Sequence, residues 1–478
     1  MPRSSRAGLL FFGLLLFPGV LFAGVVAFLH VTLIDGTGAP ARADTTVVVA
    51  GDRISAVGAS AAAELPAGAA VIDAAGKYLI PGLWDMHVHT LRTGRPEAYF
   101  PLFIANGVVG VRDMGGDFSL DEIRRLKKEI TGGARLGPQF IAPGPILDGP
   151  QPQLARISLA IRDAAAGRAA VQRLKQEGAD FIKVFNGLPR EAFFAIAAEA
   201  KRLNLPLAGH VPFSVSAREA SGAGMKSMEH LFNILFACSS REGEFMAQKA
   251  QVFSPGMEAE ARRQLRRGYL RGVLDSYDAH QAGELFRLFA GNGSWQAPTL
   301  VKRRAFALPD QNIAADPRLR YIPKRMRALW NPKQDRARRS RSAEDAEIER
   351  RYYEQDRAQL VPMLRAGVKI LAGSDSGDPY TFPGFSLHDE LALLVENGLT
   401  PMQALQAATK NAADFLGQQQ DWGTVEAGRR ADLVLLDANP LADIHNTRRI
   451  AGLLFGGKYL PREALDRLLA DAAAAAAK

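Results

Sequence analysis

The residues best equipped for chemistry in this sequence are four histidines, one lysine and one aspartate, each at or near the end of a short apolar run. In Trp84-Asp-Met-His-Val-His89 two imidazoles stand two residues apart. On a strand that spacing projects both to the same side. His210 follows Leu205-Pro-Leu-Ala-Gly, His230 closes Ser227-Met-Glu-His, and Asp375 follows Ile370-Leu-Ala-Gly-Ser. Imidazole and carboxylate ligands in this mixture suit zinc or a similar divalent ion. Taken singly, each histidine reads equally well as a hydrogen-bonded core residue, and a lone His-x-His is a weak metal signal. The metal reading gains from recurrence, because four of the chain's eight histidines fall at such exits.

Lys183 stands within Phe181-Ile-Lys-Val-Phe185. An unpartnered ammonium in an apolar strand is costly to bury, so something must compensate. Two readings are open. The side chain is either a strand-end lysine reaching water or a carboxylate, or a lysine carbamylated by CO₂. Carbamylation exchanges a cation for an anion able to bridge two metals.

Such residues need a scaffold that gathers strand ends. Eight apolar runs alternate with helical stretches: Tyr78–His89, Val108–Met114, Gln139–Pro143, Asp180–Phe185, Leu205–Val211, Ser227–Leu231, Gln296–Val301 and Lys369–Ser374. The intervening stretches include the amphipathic Glu122–Ile130 and Pro189–Leu203. This alternation predicts a (β/α)₈ barrel, whose carboxyl strand ends form the catalytic mouth. Both chain ends are instead β-rich with tight turns, as in Val25–Ile34, Asp35-Gly-Thr-Gly and Ala431–Asp437. Residues 24–80 and 417–460 are therefore expected to form one composite β-sandwich beside a barrel of residues 81–416. Residues 461–478 read as an Ala-rich helical tail. Segments at about 236–290 and 303–364 are too long for single barrel helices and read as insertions. Within the second, Asp335–Arg357 is dense in both charges and lacks apolar periodicity, which predicts a solvated helix.

Composition sets outer limits. The chain has 478 residues, 47% hydrophobic and 23% charged, enough for a large ordered core with an accessory domain. The net charge of +9 is spread out and no nucleic-acid signature accompanies it, so it reads as a basic surface. Arg3 and Arg6 precede the charge-free run Leu9–Phe22, followed by the small Ala23 and Gly24. That is the order of a secretory signal, predicting a leader at 1–23 cleaved near Ala23 and a secreted or periplasmic protein. Apolar residues continue through Val25–Phe28, so an uncleaved membrane anchor is the alternative. The lone Cys238 excludes an intramolecular disulfide, and its apolar company predicts a buried, inert thiol. Trp295, Arg303 and Arg304 lie near the seventh run, where they either meet an acidic substrate or serve packing and solvation.

The sequence resembles the amidohydrolase superfamily, in its imidazolonepropionase-like or prolidase-like branch. The resemblance is carried by Pro81-Gly-Leu-Trp-Asp-Met-His-Val-His89, Gly107-Val-Val-Gly-Val-Arg-Asp-Met-Gly115, Gly178-Ala-Asp-Phe-Ile-Lys-Val-Phe185, Gly209-His, Met228-Glu-His and Ala372-Gly-Ser-Asp. Ser386-Leu-His-Asp-Glu-Leu, Asn397-Gly-Leu-Thr-Pro and Gly428-Arg-Arg-Ala-Asp-Leu-Val extend it. It spans nearly all of residues 25–456 except the two long segments after His230. It implies that His87, His89 and Asp375 hold one divalent ion, that His210 and His230 hold a second, and that carbamylated Lys183 bridges them. It also implies that Lys183 separates this chain from the one-metal imidazolonepropionase type, and that His388 matches a recurrent family histidine.

The activity so implied is hydrolysis of a carbon–nitrogen bond of amide or peptide type, in a dipeptide or an N-acyl amino acid. Hydroxide shared by the two ions would attack the carbonyl carbon, with Asp375 as general base and then general acid. A lactone, ester or phosphotriester hydrolase on the same site is the alternative. A non-catalytic barrel is disfavoured, because every expected ligand is present. The partner expected is a small molecule or short peptide, with a homo-oligomer left open. The loops that set specificity carry no readable signature.

Overall fold

The computed structural model describes residues 21–22, 24–92, 94–252, 256–308, 313–330 and 341–478. The expected leader at 1–23 lies outside these, apart from the two-residue strand Leu21–Phe22. Parallel strands covered on both faces need unbroken apolar runs, and Leu83–Val88 and Val108–Asp113 are buried along their whole length. Paired in parallel, they begin the barrel, and Gln139–Ile141 joins them. The third stave then breaks at Ala142-Pro-Gly-Pro145 and resumes as Ile146–Asp148. Proline cannot donate to a ladder, and here the stave changes partner. Its lower piece bonds the second strand, its upper piece the fourth, Ile182–Val184.

Leu207–Gly209, Met225–Glu229 and Trp295–Ala297 follow in parallel order. Residues 370–376 close the ring. Leu371 N–H donates to the Gln296 carbonyl at 2.9 Å on one side, and Met86 N–H to the Ala372 carbonyl at 2.8 Å on the other. The result is a (β/α)₈ barrel, with Leu120–Thr131, Ala164–Glu177 and Arg190–Arg202 among its outer helices. Two expected strands are divided. Tyr78–Pro81 belongs to the β domain and Leu83–Val88 to the barrel, the switch falling at Gly82, where a Cβ would stand 2.5 Å from Val109. After Trp295–Ala297 the chain turns at Pro298 and Thr299 into the helix Leu300–Ala307.

Among the described residues, strands from both chain ends share one nine-stranded sheet. Leu433–Leu436 runs antiparallel to Tyr78–Pro81, which lies parallel to Val25–Leu33. Ile450–Phe455 and Lys458–Pro461 extend the sheet on one side, Arg42–Ala50 and Arg53–Ala59 on the other. Val26, Phe28, Val47, Val49, Leu433 and Leu435 enclose a core separate from the barrel's. Trp84 of the first barrel strand stacks on Trp422 with ring centroids 4.3 Å apart. The Ala-rich tail forms the helix Arg462–Ala477, packed on Arg95–Ala105. Among the described residues no helix is long and apolar enough to cross a membrane.

The expectation of a solvated helix in the second insertion is corrected. Positions 335–340 lie outside the described residues, and Ala343–Ala358 is a helix that packs on Ala259–Asp275. Ile348 and Tyr352, one turn apart, join Phe236, Phe245 and Tyr269 in a separate apolar cluster. The surrounding charges that obscured this stripe pair across the two helices: Arg266 with Glu349, Arg267 with Asp345 at 3.1 Å, and Arg271 with Glu344 at 2.5 Å. Tyr352→Ala should therefore cost about 3 kcal/mol, read as faster hydrogen exchange in Ala259–Asp275 and Ala343–Ala358 with barrel strands still protected. Unchanged exchange in both helices would show that this cluster does not hold them.

Candidate metal centre

The mouth of the barrel receives His87 and His89 from the first stave, Lys183 from the fourth, His210 from the fifth, His230 from the sixth and Asp375 from the eighth. His87 Nε2 and His89 Nε2 lie 3.4 and 3.5 Å from Asp375 Oδ1. Ligand atoms of His87, His230 and Asp375 all fall within 4.8 Å of one another. The His230 ring is 4.5 Å from that of His87 and 4.9 Å from that of His210. Lys183 is 1% exposed, and its charge acts on His87, His210, His230 and Asp375. The structure thus brings all six sequence-selected residues to one place.

Two of them depend on unusual backbone. His230 and Asp375 have φ of +63° and +57°, and Thr299 beside them +45°. Non-glycine residues seldom adopt this region, at a cost of roughly 1–3 kcal/mol each, so neighbouring bonds must impose it. Asp375 N–H donates to the His87 carbonyl at 2.7 Å and His230 N–H to the Ala297 carbonyl at 2.8 Å. Gly209, with φ of +132°, serves differently. A Cβ there would lie 2.2 Å from the Val184 carbonyl oxygen and 3.0 Å from Lys183 Cδ, so only glycine leaves space for the lysine stem.

Each imidazole is held from behind. His87 Nδ1 donates to Glu229 Oε2 at 2.7 Å, His89 Nδ1 to the Gly115 carbonyl at 2.9 Å, and His210 Nδ1 to Asn186 Oδ1 at 2.9 Å. His230 Nδ1 bonds Thr299 Oγ1 at 2.6 Å. A proton kept on Nδ1 leaves Nε2 with its lone pair toward the centre, the arrangement that orients metal-binding imidazoles. Burial first, then neighbouring positive charge, holds His87, His210 and His230 well below the ordinary value of 6.5, in the neutral ligating form. Burial also pushes the Lys183 ammonium down to about 8, against the pull of Glu229.

The residues fit divalent ions. Among the described residues, His87 Nε2, Lys183 Nζ and Asp375 Oδ1 are buried without a hydrogen-bond partner. Native interiors rarely leave such atoms orphaned, and a cation would satisfy the imidazole nitrogen and the carboxylate oxygen together.

Sequence reasoning assigned no role to Glu229 and Arg112, although both lay inside motifs it had singled out. Both are fully buried. Arg112 donates to both Glu229 oxygens at 3.0 and 2.9 Å, to Ser227 Oγ at 2.7 Å and to the Met86 carbonyl at 2.6 Å. For Arg112 the available signal was a charged side chain inside the apolar run Val108–Met114; Glu229 had none. Of the other candidates, Arg303 bears on the centre only through its charge, which acts on His230. His388 is buried between Thr447 Oγ1 at 2.9 Å and the Asn106 carbonyl at 3.0 Å, a packing role. Trp295 packs edge-on against Phe415, Arg303 pairs with buried Asp356, and Arg304 is exposed. Cys238 is buried, and burial raises its thiol pKa.

The model of the family described as "Amidohydrolase family" matches residues 78–460. The chain belongs to the amidohydrolase family. That family comprises hydrolases acting on carbon–nitrogen bonds. Among its relatives, ochratoxinase of Aspergillus niger is 41% identical over 83 residues, 17% of this chain and 16% of that enzyme. The match thus spans about a sixth of that relative's length. The bottromycin amidohydrolase structure is similar over 95% of this chain and 90% of its own, with a TM-score of 0.72 and 23% identity. A putative prolidase from Bifidobacterium longum is similar over 94% and 99%, with a TM-score of 0.65 and 22% identity. These structural likenesses show the shared fold.

Two predictions follow from the site itself. Glu229→Gln should weaken metal binding about 10–100-fold in chelator competition, and wild-type affinity in that variant would contradict the orienting role. The second concerns acid. In the metal-free protein the unfolded imidazoles titrate near 6.5 and the folded ones lower, so acid protonates the unfolded chain first. The stability they contribute is full above 6.5 and declines as pH falls below it. Denaturant midpoints that stay flat through that window would contradict the assigned burial.

Proposed function

We propose that this member of the amidohydrolase family is a two-metal amide hydrolase in which Asp375 carries the proton. One observation supports it above the others: four imidazoles with Nδ1 engaged elsewhere gather near a buried amine and a buried carboxylate, His87 and His89 Nε2 lying 3.4 and 3.5 Å from Asp375 Oδ1. His87, His89 and Asp375 would hold one ion, His210 and His230 the other, and Lys183 as a carbamate would link them. The nitrogen and carboxylate donor set favours zinc. Such ions supply a water of lowered pKa and an electrophile for a carbonyl oxygen.

The chain's own residues would do the rest. At pH 7 a lysine displaced to about 8 is neutral in roughly a tenth of molecules, far more than an ordinary lysine. Its nitrogen forms a bond to the carbon of CO₂ and releases one proton, leaving the carbamate anion. Asp375, whose carboxyl is raised by burial, accepts a proton from the attacking water and returns it to the departing nitrogen. Lys302 Nζ, 3.9 Å from Asp375 Oδ2 and 3.2 Å from Asp378 Oδ2, steadies the carboxylate between those roles. Phe185 and Phe232, 4.2 and 4.9 Å from the His210 ring, supply apolar walls.

The substrate class that fits is a small amide or peptide, a dipeptide or an N-acyl amino acid. The likeness to ochratoxinase and to a putative prolidase supports this direction. The basic, apolar, then small order of residues 3–24 supports a secreted or periplasmic location. Asp375→Asn should lower kcat on amide substrates by roughly 10²–10⁴-fold while metal analysis still finds the centre loaded. Undiminished turnover by the loaded variant would remove Asp375 from the proton path.

A further inference from the structure

At the carboxyl end of the barrel lies an open cavity of about 550 Å³, whose described lining includes none of the six residues of the candidate centre. Its walls come from loops at the carboxyl ends of four staves: Arg92 and Arg95 after the first, Asp117 after the second, Arg156 after the third, and Arg325 from the insertion after the seventh. Loops at this end of a barrel are where substrates are bound. One lining arginine reaches the backbone of a candidate ligand. Arg95 Nη1 donates to the His89 carbonyl at 2.6 Å. Gly115, whose carbonyl fixes His89 Nδ1, is two residues before Asp117.

The charge in this cavity is lopsided. Among the described lining residues four guanidinium groups face one carboxylate, and Arg156 already pairs with it at 3.1 Å. Arg92 Nε is buried without a hydrogen-bond partner among the described residues. Asp378 and Asp113 offset part of the charge of Arg95, and Asp378 part of that of Arg92; a planar anion able to accept paired N–H bonds would offset the rest. Arg303 and Arg304, the arginines nearest the seventh strand in sequence, do not line this cavity.

We propose that the cavity is a recognition subsite for a substrate carboxylate remote from the scissile bond, so that the substrates are acidic amides. This rests on the amide-hydrolase reading above. The bond to be cut lies over the metal centre, and the arginines hold the far, anionic end. Positioning by paired guanidinium bonds then fixes the amide carbonyl against the centre, since a small displacement there would slow the reaction.

The subsite can be tested apart from turnover by measuring glutarate binding to the metal-loaded enzyme by calorimetry. Wild type should bind glutarate with an affinity that weakens as salt rises. Arg92→Gln/Arg325→Gln should bind about tenfold or more weakly. Arg325→Gln alone, altered at an exposed side chain, should shift in the same direction, and Arg287→Gln on an outer helix should match wild type. Absence of glutarate binding, or equal binding by the double variant, overturns the subsite. In a kinetic arm, N-acetylglutamate should exceed N-acetylglutamine about tenfold or more in kcat/KM, with the preference lost through KM in the double variant. Arginine-dependent glutarate binding without cleavage of any amide would uphold the subsite and defeat the hydrolase reading. Cleavage of both amides with equal preference would do the reverse.

Discussion

The Glu229 carboxylate, held between Arg112 and His87, is the interaction on which the rest of the centre depends. Its Oε1 accepts from Ser227 and Arg112, and its Oε2 from Arg112 and His87. Through the additional bond from Arg112 to the Met86 carbonyl, one buried pair ties the first, second and sixth staves together. Burying two charges is expensive, and a well-packed apolar core would often serve stability as well. What an apolar core could not do is keep a proton on His87 Nδ1 and so turn Nε2 toward the centre. The pair is therefore best understood as a positioning device whose loss on one side leaves a buried charge, at about 3–5 kcal/mol.

From that anchor the geometry spreads outward through backbone. The His87 carbonyl accepts from Asp375 N–H, so the orientation of the first stave is passed to the carboxylate on the eighth. The His89 imidazole is passed to the second stave through Gly115, and His210 to the fourth through Asn186. His230 and Asp375 sit in left-handed backbone directly after their strands, where the chain turns sharply enough to point a side chain back over the barrel axis. Strain of this kind persists only where the surroundings over-determine it, and the closed ring of parallel strands supplies that rigidity.

Much of this was legible in the amino-acid sequence because strand exits have a local signature. An apolar run ending in histidine or aspartate states both where the strand stops and which group is offered there, so the ligands could be gathered without coordinates. Glu229, Asn186 and Thr299 had no comparable signature, since each acts on an imidazole from another stave or from across a turn. Their meaning is tertiary. Strand limits were drawn too long at Tyr78–His89 and Gln296–Val301 because apolar character continues through Gly82 and through Pro298, where the chain changes partner or begins a helix. The second insertion was misread for a related reason. Ile348 and Tyr352 form a stripe one turn apart, but the glutamates and arginines around it pair with a helix some eighty residues earlier, and a local reading counts them as solvated.

The carbamate proposed for Lys183 rests on a charge argument that none of these local signals contains. A buried ammonium needs acceptors for its protons, and the nearby carboxylate best placed to provide them, Glu229, is already saturated by arginine, serine and histidine. Asp375 Oδ1 and Lys183 Nζ both lie buried without hydrogen-bond partners among the described residues, so proximity has not made them a pair. Each unsatisfied group costs roughly 1–3 kcal/mol, more when charged. Cations at the imidazoles would remove the deficit at Asp375 and at the same time make a positive lysine still less tolerable. The proposed conversion of the amine to an anion would answer both demands, because it would delete the unwanted cation and add oxygen ligands between the two groups of histidines. A lysine in the middle of an apolar strand is thus a liability as an ammonium and an asset as a carbamate, and the bound cations would decide between them.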